Sequence, residues 1–302
     1  TRLSDPQTGH HLMNLPVQKS DIERIEVLLG GGSYIFGGSA FSGVINIITK
    51  KEQNNITSVD VAAGSFESLR AGITENISGE NHRTRLSFNH HQSAGFKANT
   101  DFSNTNLFAQ SNIQLKEHKL ALNGGYTWQN FGAQNFYTDV FPTQFEKTRT
   151  LFLSAGLKSG KKVKLNREVY WRRHWDEFQL FREGDDYYRF DNGFFINGND
   201  TAPAFYTGHN YHRSDVVGAK VDVSFKSKWG RTSVGTEYRY EAVVSNVLGQ
   251  ALEAPINIAG SRGLYTVGAS RHNVDIAAEH SKNWGNFDFS LALQANYNTS
   301  FE

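Results

Sequence analysis

The chain has 302 residues, 31 basic and 30 acidic side chains, no cysteine, 28 glycines and 5 prolines. The missing cysteine excludes a disulfide framework, a thiolate zinc site and a cysteine nucleophile, and the balanced charge removes the simplest electrostatic case for nucleic acid or an anionic surface. No stretch approaches the ~18 uninterrupted apolar residues of a spanning helix, whereas 13% aromatics with a mean hydropathy of −0.51 is what the alternating strands of a membrane β-barrel average to.

The first residues, Thr1-Arg2-Leu3-Ser4-Asp5-Pro6, carry neither Met nor a secretory leader, so the chain reads as processed or cut from something larger. Residues 21–51 follow a different pattern from the rest. A short strand (Ile22, Arg24 and Glu26 against Glu23, Ile25 and Val27) leads into a glycine-rich region and then an apolar strand, Gly43 to Thr49, closed by Lys50 and Lys51. These glycines are not a phosphate loop, because no Lys-Ser or Lys-Thr follows them and Ile35 breaks the G-x-G-x-x-G spacing. Tight backbone packing is the better reading of them.

From Ile56 onward the period is two. Val217, Ala219, Val221, Val223 and Phe225 alternate with Gly218, Lys220, Asp222, Ser224 and Lys226, and Phe287 to Asn298 repeats the pattern. Eleven such segments are expected, at 57–64, 69–78, 83–91, 104–115, 119–129, 149–159, 163–179, 215–226, 231–244, 272–281 and 287–298. All five prolines, Pro6, Pro16, Pro142, Pro203 and Pro255, lie outside them, as hydrogen-bonded strands require. Short turns at 79–82, 116–118, 160–162, 227–230 and 282–286 alternate with long connections at 92–103, 130–148, 180–214 and 245–271, so every long loop leaves from one end. A transmembrane barrel has that asymmetry; in a compact soluble domain, structureless loops of more than ~12–15 residues are uncommon. Trp229 and Trp284 fall in short turns, where an interfacial aromatic girdle belongs.

One resemblance is specific. Ile22-Glu23-Arg24-Ile25-Glu26-Val27-Leu28, then Gly30, Tyr34-x-Phe36-Gly37 and Gly43-Val44-Ile45-Asn46-Ile47-Ile48-Thr49-Lys50, resembles the end of the plug domain of TonB-dependent outer-membrane receptors. The resemblance implies an all-β fold: a transmembrane antiparallel β-barrel, here about half of a 22-stranded one, preceded by the C-terminal part of a plug. Residues 1–51 would be plug and 52–302 the N-terminal half of the barrel, a fragment unable to close or transport by itself. The family usually has Arg-Gly-Pro where this chain has Leu29-Gly30-Gly31. Without that Arg, Glu23, Arg24 and Glu26 are the candidates for the charged lock between plug and barrel.

Position within the family also implies the ligand site. Asp5, Gln7, Thr8, His10 and His11 fall in a plug loop facing the external vestibule, and Asp5-Pro6 alone reads equally as an ordinary turn. Gly95-Phe96-Lys97-x-Asn99-Thr100-Asp101-Phe102 and Phe131-Gly132-Ala133-x-Asn135-Phe136-Tyr137 resemble the first loops of the vitamin B12 (cobalamin) receptor branch. This makes Phe131, Asn135, Phe136 and Tyr137 candidate contacts to a wide apolar ring rimmed with amides; aromatic loops serve iron chelates as well. Asp185, Asp186 and Asp191, with Glu183 and Asp200 nearby, are candidate calcium ligands, since the branch orders its loops with calcium, although no EF-hand spacing is present. His209 and His212 lack a third ligand in sequence.

The expected function is therefore capture of cobalamin or a related corrinoid and import driven by a TonB-type energy-coupling protein, with no cofactor beyond calcium in the loops, from a seat in the bacterial outer membrane with the lipid bilayer as its surroundings. A ferric-siderophore or haem receptor is the alternative within the family, and a passive porin or adhesin the alternative outside it. No G-x-S-x-G nucleophile motif supports a hydrolase, so no enzyme is expected.

Overall fold

The computed structural model describes residues 3–8, 14–29, 43–51 and 54–299. Among them the one helical element is a 3-10 turn, Lys19–Asp21. Strands β1 (Ile22–Leu29) and β2 (Gly43–Thr49) form an antiparallel pair of their own. A twelve-stranded antiparallel sheet takes β3 (Ile56–Gly64), β4 (Ser68–Ser78), β5 (His82–Ser93), β6 (Phe102–Leu115), β7 (His118–Gly132), β8 (Phe145–Ser159) and β9 (Val163–Gln179). A small three-stranded sheet, β10 (Arg189–Asp191), β11 (Phe194–Asn197) and β12 (Asp200–Thr201), interrupts the series. The large sheet then resumes with β13 (Asn210–Ser227), β14 (Gly230–Ser245), β15 (Gln250–Asn257), β16 (Leu264–Trp284) and β17 (Phe287–Asn298). Each long strand pairs with the next, β9 with β13 and β14 with β16, so the sheet is a meander.

All eleven alternating segments are strands, but several run further into the loops than their alternation: β7 to Gly132, β8 from Phe145, β13 from Asn210 and β16 from Leu264. Beyond the apolar band both faces meet water or other loops, so period-two hydrophobicity fades while backbone pairing continues. β15 and the small sheet carry no such alternation, and the sequence gives no sign of them. The rule of short turns at one end and long loops at the other has one exception. Residues 65–67 connect β3 to β4 tightly at the long-loop end, with Phe66 and Glu67 in the left-handed region (φ 58° and 54°), and the Phe66 carbonyl accepts the Ala94 amide of the next long loop.

Register sorts the side chains into two faces. Val217, Trp171 and Leu153 lie in one cross-strand row, and Leu107 and Phe88 in another on the same side. Val217, Leu153, Leu107, Phe88 and Val169 are each more than 40% exposed. In water such a surface would forgo about 1.5–3 kcal/mol per large side chain; against lipid it is matched. The opposite face, with Arg85, Thr127, Thr148, Thr150, His174, Glu237 and Glu241, is polar and buried. Trp229 and Trp284 are exposed at the short-turn end, where Lys228 and Lys282 lie 5.3 and 5.5 Å from the Trp229 ring.

Candidate functional site

The polar face is covered by the chain's own N-terminal part. Asp21, fully buried, accepts from Arg85 Nε (2.8 Å) through one carboxylate oxygen and from Ser87 Oγ (2.9 Å) through the other. The same Arg85 donates to Asn76 Oδ1 and to the Ser20 carbonyl, both at 2.9 Å, so its guanidinium is satisfied on three sides. Pro16 packs on Gly125, where a Cβ would stand 2.7 Å from the proline ring, so only glycine permits this approach. Asn14 and Thr49 reach the wall at Thr148 and Gln110.

A second tie lies nearer the long loops. Asp5 folds residues 5–8 into a turn by accepting the Gln7 amide (2.9 Å) through Oδ1, while its Oδ2 takes Arg172 Nη1 (2.5 Å) and Ser214 Oγ (3.3 Å). Ser4 Oγ donates to Glu241, which also takes Arg239 (2.7 Å) and Arg271 (2.6 Å). Gln7 Nε2 donates to Asp176 at 3.0 Å. Asp5 and Gln7 thus sit against the inner wall, and the Thr8 amide closes the turn on Asp5 (3.4 Å); His10 and His11 lie outside the described residues.

The loop candidates arrive at the same place. The Tyr137 hydroxyl donates to Glu146 (2.5 Å), and its ring meets Phe178 edge-on at 5.1 Å and Phe136 at 4.7 Å. Glu146, Phe178 and Phe131 lie in one cross-strand row, two residues along β9 from Asp176. Partial burial and then the Glu146 carboxylate raise the Tyr137 hydroxyl above an ordinary phenol. Phe136 and Tyr137 are exposed enough to meet a ligand, and Asn135 turns the chain in the left-handed region (φ 58°). Gln7 of the plug loop and Tyr137 of the barrel loop therefore reach neighbouring positions on the inner face of β9, giving a candidate vestibule that is polar and aromatic.

The long loops around it are cross-linked through a single dipeptide. Arg182 forms a two-pronged bond to Asp101 (2.5 and 2.8 Å), donates to Asn99 Oδ1 (2.9 Å), and lies 4.0 Å from the Phe145 ring centre. Asn99 in turn donates to the carbonyls of Pro142 (2.9 Å) and Gln144 (2.6 Å). Glu183 takes Arg262 (2.7 Å) from the loop between β15 and β16 and pairs with His209 (3.0 Å), whose other ring nitrogen meets the Tyr206 hydroxyl at 2.5 Å. Phe181, Tyr188, Phe195 and Ala202 form a small core beneath them. Burial lowers His209 below an ordinary imidazole, only partly offset by Glu183. Burial pushes Glu183 upward, but Arg262 and His209 outweigh it and hold the carboxyl below its usual range. Tyr188 is pushed up to about 12 by burial and by its bond to Asp200.

The other candidates are placed apart from this vestibule. Arg24 pairs with Glu26 (2.8 Å) and Glu23 (2.7 Å), and Asn46 donates to Glu26, all exposed; the ion pairs to the wall among the described residues are made instead by Asp21 and Asp5. Asp185 is fully exposed and 3.6 Å from Arg189, and Asp186 and Asp191 are exposed as well. Among the described residues no group of three His, Asp or Glu side chains is placed to hold a metal ion. Sequence reasoning missed Asp21, Arg85, Arg172, Glu241 and Arg182, and met Glu183 only as a neighbour of the candidate calcium ligands. A signal existed for the strand residues: Arg172-x-His174-x-Asp176 and Glu237-x-Arg239-x-Glu241 put an ionisable group at every second position, on one face, as a filled lumen requires.

No family model matches the chain. Over 144 residues it is 31% identical to the vitamin B12 transporter BtuB of Vibrio vulnificus, a match covering 48% of this chain and 21% of that one. Over 175 residues it is 25% identical to BtuB of Photobacterium profundum, covering 54% and 28%. Among solved structures, the open form of the ferric-catecholate import receptor Fiu from E. coli superposes with a TM-score of 0.68 at 13% identity, over 92% of this chain and 50% of that one. The FrpB iron transporter of Neisseria meningitidis gives 0.68 at 12%, over 93% and 48%, and the ferric citrate transporter FecA 0.64 at 13%, over 94% and 42%. The matches span less than a third of the B12 transporters and about half of the solved neighbours. By their names these proteins are transporters and receptors, not enzymes. The fold of the solved neighbours, the sequence of the transporters and the plug motif at residues 22–50 point the same way: the chain is similar to half of a TonB-dependent receptor of the bacterial outer membrane.

Proposed function

We propose that the full-length protein captures a cobalamin-type corrinoid at its external face and imports it through the barrel, driven by a TonB-type coupling protein. In this reading residues 1–51 belong to the plug and 52–302 to the barrel. The observation that carries it is the meeting of plug loop and barrel loop: Gln7 is held on Asp176, and Tyr137 meets Phe178 edge-on two residues further along β9. That combination offers aromatic faces for a broad apolar ring beside amide and carboxylate groups for its polar rim. The sequence relatives, both named vitamin B12 transporters, support the choice of ligand. Movement of the plug would have to break the Asp21–Arg85 and Asp5–Arg172 pairs, which places the resistance to opening in two buried ion pairs.

The test is equilibrium binding of cyanocobalamin to the full-length receptor. Saturable binding that weakens on Tyr137→Ala supports the reading. Saturable binding of ferric siderophores with none of cyanocobalamin overturns it.

A further inference from the structure

The resemblance to the cobalamin branch implies calcium among the long loops, and the oxygens there do not assemble for it. Calcium gathers about six to eight oxygen ligands around one centre. Asp101 gives both carboxylate oxygens to Arg182 (2.5 and 2.8 Å), Glu183 takes Arg262 and His209, and Asp200 takes the Tyr188 hydroxyl. Asp185, Asp186 and Asp191 stand exposed, Asp185 3.6 Å from Arg189. Among the described residues no three His, Asp or Glu side chains gather. The loop carboxylates are thus either bonded to donors or turned to water.

A guanidinium stands where the loops meet. Arg182 has its Cζ 4.0 Å from the centre of the Phe145 ring and 4.3 Å from that of Tyr187, its fork closed on Asp101 and Nη1 also on Asn99 Oδ1 (2.9 Å). Its backbone is fixed as well: the amide donates to the Thr143 carbonyl (3.0 Å) and the carbonyl accepts the Tyr188 amide (2.9 Å). Asn99 carries the effect onward. Its side-chain amide holds the carbonyls of Pro142 and Gln144, and its own carbonyl accepts the Gln134 amide (3.3 Å). A Cβ on Gly132 would come within 2.4 Å of that same carbonyl. Gln134 lies in the loop that carries Phe136 and Tyr137, so the ring that meets Phe178 is held by a chain of bonds that starts at Arg182. A planar cation with a two-pronged carboxylate and aromatic rings beside it has a defined geometry that a hydrated ion lacks.

We propose that Arg182 is the fixed cation that orders the vestibule: it positions Phe136 and Tyr137 through Asn99, so that loop order and ligand capture need no divalent ion. The inference rests on the reading of the vestibule as the ligand site. The experiment measures amide exchange in loops 94–101 and 133–144 of the full-length receptor in detergent, with calcium and with a chelator, and cyanocobalamin affinity under the same two conditions. Exchange and affinity should be the same in both. Arg182→Ala should quicken exchange in both loops and weaken binding about tenfold. Guanidinium chloride at millimolar concentration, unlike sodium chloride, should restore part of each, since Asp101 and the two rings remain to receive it. Migration of unboiled protein on gels verifies that the variant is folded, and Arg182→Gln serves if it is not. A chelator that quickens exchange or weakens binding in the wild type overturns the proposal, as do an Arg182 variant that behaves like wild type and one that guanidinium leaves unchanged. A wild type that binds no cyanocobalamin ends the reading of the ligand instead, and the exchange measurements still decide the role of Arg182.

Discussion

The two faces of the large sheet solve opposite problems with the same alternating backbone. Outward, Val217, Val221, Leu153 and Leu107 stand exposed and unpaired, and the bilayer completes them. Inward, Arg85, Arg172, Arg239 and Glu241 are nearly as buried as a protein core and are completed by the chain itself, through Asp21, Asp5 and Ser4. The outer face tolerates any apolar residue of about the right size, since its partner is fluid. The inner face is specific residue by residue, because a charge that loses its partner there has no water to turn to.

The sharpest way to break the contrast is to remove an inner charge. Asp21→Ala leaves Arg85 buried without its carboxylate, and the folded state should lose about 3–5 kcal/mol, read as a lower urea midpoint with faster amide exchange in residues 14–29. Reversing the outer rule comes next: Val221→Arg places a charge in the apolar band and should cost about 2–4 kcal/mol, measured by unfolding into a bilayer, whereas Val221→Leu should be nearly silent. Arg182→Ala should cost about 1.5–3 kcal/mol of loop ordering and raise amide exchange in loops 94–101, 133–144 and 180–209 together. Faster exchange confined to 180–209 would show that Arg182 does not join the three.

A pH series sharpens the same point without mutation. The folded state holds His209 and Glu183 below their ordinary values, so each favours folding at high pH and that contribution is lost on acidification. For His209 the loss begins as pH falls below about 6.5. Exchange in loop 180–209, corrected for intrinsic rate, should therefore be faster at pH 5.5 than at 7.5, and His209→Gln should flatten this dependence. The smallest effect is expected at Glu26→Gln: its partner Arg24 is exposed, so urea midpoint and assembly should match wild type.

The legible part of the fold was the part that touches lipid. Alternation in Val217–Phe225 and Phe287–Asn298 marked strand and face together, because a residue facing hydrocarbon and one facing the lumen cannot exchange roles. The upper ends of β7, β8, β13 and β16, the small sheet and β15 were hidden, since outside the bilayer neither face demands an apolar residue. The candidate vestibule was half legible. Phe136 and Tyr137 stood out as aromatics in a loop, but Phe178 and Asp176 read as ordinary strand positions, and Glu146 as one more residue of the 130–148 connection, until register put them beside Tyr137 and Gln7.

By itself, then, the sequence determined an all-β membrane barrel, which of its faces meets lipid, at which end the long loops lie and, through residues 22–50, its likeness to a plug. Only the tertiary structure decided the partners. Ion pairs such as Asp5–Arg172, separated by well over a hundred residues, leave no local period in the chain, and neither does a row such as Trp128, Arg149, Trp175 and Arg213, drawn from four strands. Strand pairing alone brings such residues together, and register alone decides which of them share a face.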